Sequence, residues 1–179
     1  MRGAGLFLGV VSFVIVAGTN AAPPGTGSAR ADDQRTVDAV DLRRYAGVWY
    51  EIARIPNRFQ KHCVRNVTAT YTLRDDGMID VVNRCVDDDG EVDQADGVAR
   101  VVETATRSKL EVSFVQVFGL RLFWGDYWII GLADDYRYAV VGSPDRKYGW
   151  ILSRSAVLSA EDREAVFGIL RANGYDPAL

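Results

Sequence analysis

The sequence predicts an all-β domain: an eight-stranded antiparallel up-and-down barrel with one C-terminal α-helix packed outside. Three observations predict it. Short β-like runs follow one another from residue 47 to 153, separated by turn signals at hairpin spacing. No long helical pattern interrupts them, which argues against a parallel βαβ architecture. A single capped amphipathic helix follows the last run, and its apolar stripe needs a sheet to cover. A barrel of this size can hold one small ligand in its interior.

Residues 1–21 read as a secretory signal. Arg2 gives a positive start, 6–17 is an apolar run too short for a comfortable membrane span, and Thr19, Ala21 and Ala22 offer small residues for cleavage. An uncleaved anchor is the alternative. No cysteine follows the apolar run, so a lipid-modified N-terminus is not expected. Residues 22–36, made of Pro, Gly, Ser, Ala and charge, read as a flexible lead-in, and 37–179 as the barrel domain.

Asp41 can cap one helical turn ending at Tyr45. Gly47-Val48-Trp49-Tyr50 follows: the glycine lets the chain turn, and the indole plugs the point where the chain enters the sheet. Taken alone, the stretch favours an ordinary core tryptophan. The first strand is expected over 49–55, broken by Pro56. The second, 66–73, alternates Val67, Ala69, Tyr71 and Leu73 against Thr68, Thr70 and Thr72. A tight turn at Gly77 leads to the third, 78–85. Leu73 opposite Met78 would set Asn66 opposite Cys85, with Cys63 three residues upstream. One bulge or a bend would bring the two cysteines within bonding range. A disulfide is therefore expected, with two buried thiols as the alternative.

The fourth strand is expected over 91–103, bent at Gly97, after the solvated acidic turn Asp87-Asp88-Asp89-Gly90. The fifth, 109–116, alternates Leu110, Val112 and Phe114 against Lys109, Glu111 and Ser113. Residues 117–125 are a connection, yet mostly large and apolar. They either extend the flanking strands or present an apolar tip to lipid or a partner. The sixth to eighth strands are expected over 126–133, 136–142 and 148–153. Ser159 and the acids after it form a capping box for a helix over 160–172, stopped by Asn173-Gly174. Alternating strand direction gathers the connections 56–65, 86–91, 117–125 and 143–147 at one end of the barrel.

Composition excludes several classes. A net charge of −3 argues against nucleic-acid binding. Two cysteines and the single His62 are too few for a structural zinc site, and Asp87 to Gly90 lacks the ligand spacing of an EF-hand. No metal and no cofactor are expected. His62 has no evident acid partner in sequence, and Cys63 is a nucleophile only if free, so an enzyme is not expected. Asn66-Val67-Thr68 matches a glycosylation acceptor.

Three stretches resemble a known family. Gly47-Val48-Trp49-Tyr50, Asp134-Asp135-Tyr136 and Trp150-Ile151-Leu152-Ser153-Arg154 are similar, in order and separation, to the three lipocalin motifs. The pattern is shared with bacterial, outer-membrane-type lipocalins and with apolipoprotein D. The resemblance implies that Arg154 packs over Trp49 as a structural pair. It also implies that Tyr71 and Trp150 line a pocket for a fatty acid or lysophospholipid. Alternation alone adds Val67, Ala69, Val112 and Phe114 to that wall. Arg58, Lys61, Arg65, Phe118, Arg121, Phe123 and Trp124 are expected at the mouth, to meet a headgroup or a membrane surface. The resemblance further implies export to the periplasm or extracellular space, in association with the outer membrane. A protein-binding or dimerising role for 117–125 is the rival, so a monomer and a homodimer both stay open.

Overall fold

A computed structural model describes residues 34–177. The expected signal segment, and the lead-in up to residue 33, lie outside the described residues. The last part of that lead-in is docked: Gln34 is buried, its amide donates to the Tyr175 hydroxyl at 2.9 Å, and Arg35 N–H donates to Asn173 Oδ1. The short turn α1 (Leu42–Tyr45) is capped by Asp41, whose carboxylate accepts from the Arg43 and Arg44 amides.

Eight strands close a barrel. β1 (Gly47–Arg54), β2 (Arg65–Leu73), β3 (Ile79–Val86), β4 (Val92–Val101) and β5 (Lys109–Ser113) run in sequence. Two short strands, β6 (Val115–Val117) and β7 (Leu120–Leu122), pair among the described residues only with each other. β8 (Gly125–Leu132), β9 (Tyr138–Gly142) and β10 (Gly149–Ser153) complete the wall, in the order β1-β10-β9-β8-β5-β4-β3-β2. Every neighbouring pair is antiparallel.

Helix α2 (Ala160–Ala172) packs outside, with Ser159 Oγ accepting from the Asp162 amide and Gly174 closing the C-terminus at φ +76°. The buried Val166 and Leu170 of α2 meet Ile130, Val140 and Ile151 on the outer wall. Gly131 is the contact point: a Cβ there would stand 2.7 Å from Ile169. A second cluster fills the lower lumen around Trp49, Ile79, Leu110, Ile129 and Leu152.

The structure departs from the expected hairpin register and from the expected end of the fifth strand, and it contains the expected bulge. Leu73 pairs with Ile79 rather than Met78. The β2–β3 ladder slips between Arg65 and Thr68, where Asn66 takes φ +53°. That slip is the bulge the cysteines required, and Cys63 and Cys85 form a disulfide with Cα atoms 5.5 Å apart. The fifth strand leaves the barrel after Ser113, not at residue 116, because Ser113 Oγ takes over local pairing by donating to the Leu122 carbonyl at 2.5 Å.

Candidate functional site

The barrel is sealed at one end by the predicted pair. Trp49 is fully buried, and its indole N–H donates to the Tyr45 carbonyl at 2.8 Å. Arg154 stacks on its ring. Asp41 N–H donates to the Tyr136 hydroxyl, and Val40 N–H to the Thr106 carbonyl, so the N-terminal segment lies across the same end.

Above this floor three phenols meet in the lumen. The Tyr127 hydroxyl lies 2.7 Å from that of Tyr45 and 2.9 Å from that of Tyr71. All three are buried, so ionising any of them would strand a charge in low dielectric. Burial pushes Tyr71 up to about 12, and Tyr45 and Tyr127 well above the usual phenol range. The network is a neutral, hydrogen-bonded shelf across the barrel.

The inner wall changes character above the shelf. Ala69 pairs with Asn83 and Asn83 with Ala95, so all three face inward, yet Ala69 is buried while Ala95 is exposed. Val67, Val112 and Trp150 are only partly buried. Phe114 lies across Gly97, where a Cβ would stand 2.7 Å from the ring, and it remains 38% exposed. The six wall residues expected from the sequence therefore form two tiers: Ala69 and Tyr71 near the shelf, Val67, Val112, Phe114 and Trp150 toward the opening.

Sequence reasoning missed a polar cluster in this upper tier. The Glu51 carboxylate accepts from Arg54 Nη1 at 2.6 Å and from Gln60 Nε2 at 2.8 Å, with only 6% of its side chain exposed. Arg54 Nη2 donates to the carbonyls of Gln60 and Cys63, and Trp150 Nε1 donates to Gln60 Oε1 at 3.1 Å. Glu51 was detectable, since it stands two residues from Trp49 on the same face. Arg54 was not: the ladder to β10 shifts between Glu51 and Ala53, which turns Arg54 inward opposite Trp150. Tyr148 stacks on Trp150 and touches Phe59, making an aromatic ladder from lumen to rim.

The rim holds most of the expected mouth residues. Arg58, in the 3-10 turn Arg58–Gln60, lies over the Phe59 ring. Lys61 and Arg65 are exposed. His62, expected without an acid partner, pairs with Asp93 at 2.6 Å. The 117–125 stretch takes both alternatives at once: it extends the β5–β8 hairpin as an arm, and it presents an apolar tip. Phe118 and Gly119, both at positive φ, make the two-residue turn, and Phe118 is fully exposed. Phe123 is 80% exposed, and Arg121 is half-buried. Trp124 departs from expectation. It is not offered at the tip but half-buried against the outer wall, stacked 4.2 Å from Arg100.

A family model described as a lipocalin-like domain matches residues 40–179. The chain belongs to the lipocalin family. This lipocalin is 39% identical over 166 residues to the outer membrane lipoprotein Blc of Escherichia coli K12, covering 92% of this chain and 86% of that protein. It is 36% identical over 148 residues to apolipoprotein D of Macaca fascicularis, covering 76% and 72%. Among solved structures, insecticyanin from Manduca sexta superposes with a TM-score of 0.63 at 25% identity, covering 82% of this lipocalin and 86% of insecticyanin. The closed eight-stranded barrel and its outer helix are those of the family.

Proposed function

We propose that this lipocalin binds a single-chain amphiphile, a fatty acid or a lysophospholipid, with its acyl chain in the upper lumen. One observation carries the reading: along the same inner face, side chains are packed below the tyrosine shelf and accessible above it, from buried Ala69 to exposed Ala95 and Phe114. A lumen above a closed floor, apolar where Val67, Val112, Phe114 and Trp150 line it, rewards tail burial at about 0.8 kcal/mol per CH2. Val67, Ala69, Tyr71, Val112, Phe114 and Trp150 form its wall in this reading, with Arg58, Lys61, Arg65 and Arg121 near the headgroup.

The arm supports a second element of the proposal, contact with a membrane surface. Alternation places Val115, Val117, Leu120 and Leu122 on one face, all at least a third exposed, with Phe118 at the tip. The relatives named outer membrane lipoprotein and the Cys63–Cys85 bond agree with an exported protein in an oxidising compartment. A binding protein, rather than an enzyme, fits the chemistry present: Cys63 is tied in the disulfide, and His62 pairs with Asp93 on the open rim.

The test is displacement of a dansylated undecanoic acid. Saturable binding weakened about tenfold by Trp150→Ala is expected, and an absence of saturable binding to any single-chain amphiphile overturns the reading. Flotation with phosphatidylglycerol-containing vesicles tests the arm. Leu120→Asp with Leu122→Asp abolishes flotation if the face meets lipid. If it pairs two copies instead, the same change converts a sedimenting dimer to a monomer.

A further inference from the structure

The barrel wall is incomplete beside the mouth, and the missing piece stands next to the gap. β4 pairs with β3 from Val86–Val92 to Ile79–Ala99. Its pairing with β5 ends at Val98–Ser113. Among the described residues, 92–97 therefore keep a free edge, and all but Gly97 are exposed. Free edges are normally covered, because unpaired N–H and C=O groups invite another strand.

The arm has the register to cover it. Val112 pairs with Gly125 in the wall, and Val115 pairs with Leu122 in the arm, in one continuous register. Only the positions of Ser113, Phe114, Phe123 and Trp124 break the ladder. Extending the β4–β5 register sets Gly97 opposite Phe114, Asp96 opposite Val115, Gln94 opposite Val117 and Val92 opposite Gly119. The six residues of free edge thus match the six from Phe114 to the tip of the arm. The Phe114 ring already lies across Gly97, as that pairing requires.

We propose that the arm is a hinged flap that re-pairs with the free edge of β4 and closes the wall over the lumen. Strain marks the hinge: Phe123 is held at φ +57°, a conformation a bulky residue adopts at a cost and loses on straightening. Ser113 Oγ bonded to the Leu122 carbonyl holds the bent form, and Trp124 on Arg100 is the pivot. Closure also changes what faces the mouth. Arg121 and Phe123 lie on the arm's side continuous with Gly125 and Tyr127, so straightening turns both inward. Arg54, the cation already in the lumen, is neutralised by Glu51. Arg121 is then the charge the flap brings to an anionic headgroup, a point that rests on the ligand reading above.

Cross-linking tests the flap without any ligand. Gln94→Cys with Val117→Cys is expected to oxidise to an intramolecular disulfide in most molecules in a glutathione redox buffer. The offset pair Gln94→Cys with Val115→Cys should do so several-fold less, and equal yields overturn the proposal. A second measurement leaves the cysteines alone. Phe123→Val, a β-branched residue ill suited to φ +57°, should slow amide exchange over 92–97 several-fold, and unchanged exchange counts against the flap. For the headgroup, Arg121→Gln should weaken the dansylated undecanoic acid about fivefold and leave its uncharged alcohol analogue unaffected. Equal loss for both probes removes Arg121 from that role. Failure of the wild-type protein to bind either probe would refute the ligand reading but not the cross-link.

Discussion

The guanidinium carbon of Arg154 lies 3.8 Å from the centre of the Trp49 ring, while its nitrogens donate to the carbonyls of Arg44, Tyr45, Ala46 and Val48 at 2.7–3.0 Å. One side chain thus caps the buried indole and ties the α1 turn and the start of β1 to the end of β10. Lysine keeps the charge but has neither the planar stack nor the fork of donors. Arg154→Lys is expected to cost about 2–4 kcal/mol from lost cation–π contact and charge-assisted hydrogen bonds. Urea unfolding measures it, and a loss under about 0.5 kcal/mol, the size of an ordinary surface substitution, would show the pair to be ornamental.

The tyrosine shelf predicts alkaline sensitivity. Tyr71 is pushed up to about 12 by burial, and Tyr45 and Tyr127 are raised as well, so their folded values exceed the ordinary phenol value of 10.0. A raised folded pKa gives stability that is fully present below the unfolded value and lost as pH rises through the folded one. Stability should therefore fall from about pH 10 toward 12. Tyrosinate absorbance should rise for the three phenols together with unfolding. If they titrate in the folded protein near pH 10, the shelf is wetter than its geometry implies.

Much of this architecture was legible because burial imposes period-2 alternation on half-covered strands. Val67, Ala69 and Tyr71 point inward for that reason, and Ser159 announces α2 because its hydroxyl must satisfy an open amide. What alternation cannot show is where it breaks. The slip beside Glu51 turned Arg54 inward, and the one near Asn66 reset the hairpin register. The apolar pattern of β5 continues past Ser113 into the arm, so nothing in it marks the kink. That kink depends on a serine hydroxyl and on the φ of Phe123. The His62–Asp93 pair spans 31 positions and follows only from the disulfide that brings Cys63 to Cys85.

The disulfide joins Cys63 to Cys85, 22 positions apart in sequence. By chain entropy such a link is worth about 3 kcal/mol. Cys63→Ala with Cys85→Ala should lower the urea midpoint accordingly. It should also loosen residues 57–63, whose Gln60 side chain holds the mouth loop to Glu51 and Trp150. An unchanged midpoint would mean the barrel wall alone fixes that loop.

Gly131 carries the docking of α2. A methyl there would meet the Ile169 side chain at 2.7 Å and Val140 at 3.3 Å. Gly131→Ala is expected to destabilise by roughly 1–3 kcal/mol through overpacking. Pairing it with Ile169→Val should recover part of the loss, which a double-mutant cycle reads directly. Additive effects would indicate that the helix shifts without strain.

Glu51 decides how the upper lumen treats charge. Its carboxylate neutralises Arg54 and holds Gln60, so the wild-type recess offers an entering carboxylate no unshared cation at that depth. Glu51→Gln keeps the shape and a hydrogen-bond acceptor but removes the charge. Arg54 then keeps its two carbonyl partners and regains a net positive field toward the lumen. With its headgroup held at the rim, a dansylated undecanoic acid should bind the variant within about twofold of wild type; a gain of about 5- to 10-fold, roughly 1 kcal/mol of charge-assisted bonding, would place the carboxylate at Arg54 instead. An uncharged alcohol analogue should bind unchanged, and melting should come at lower temperature because the ion pair is gone. Tighter binding of both probes would trace the gain to space rather than charge.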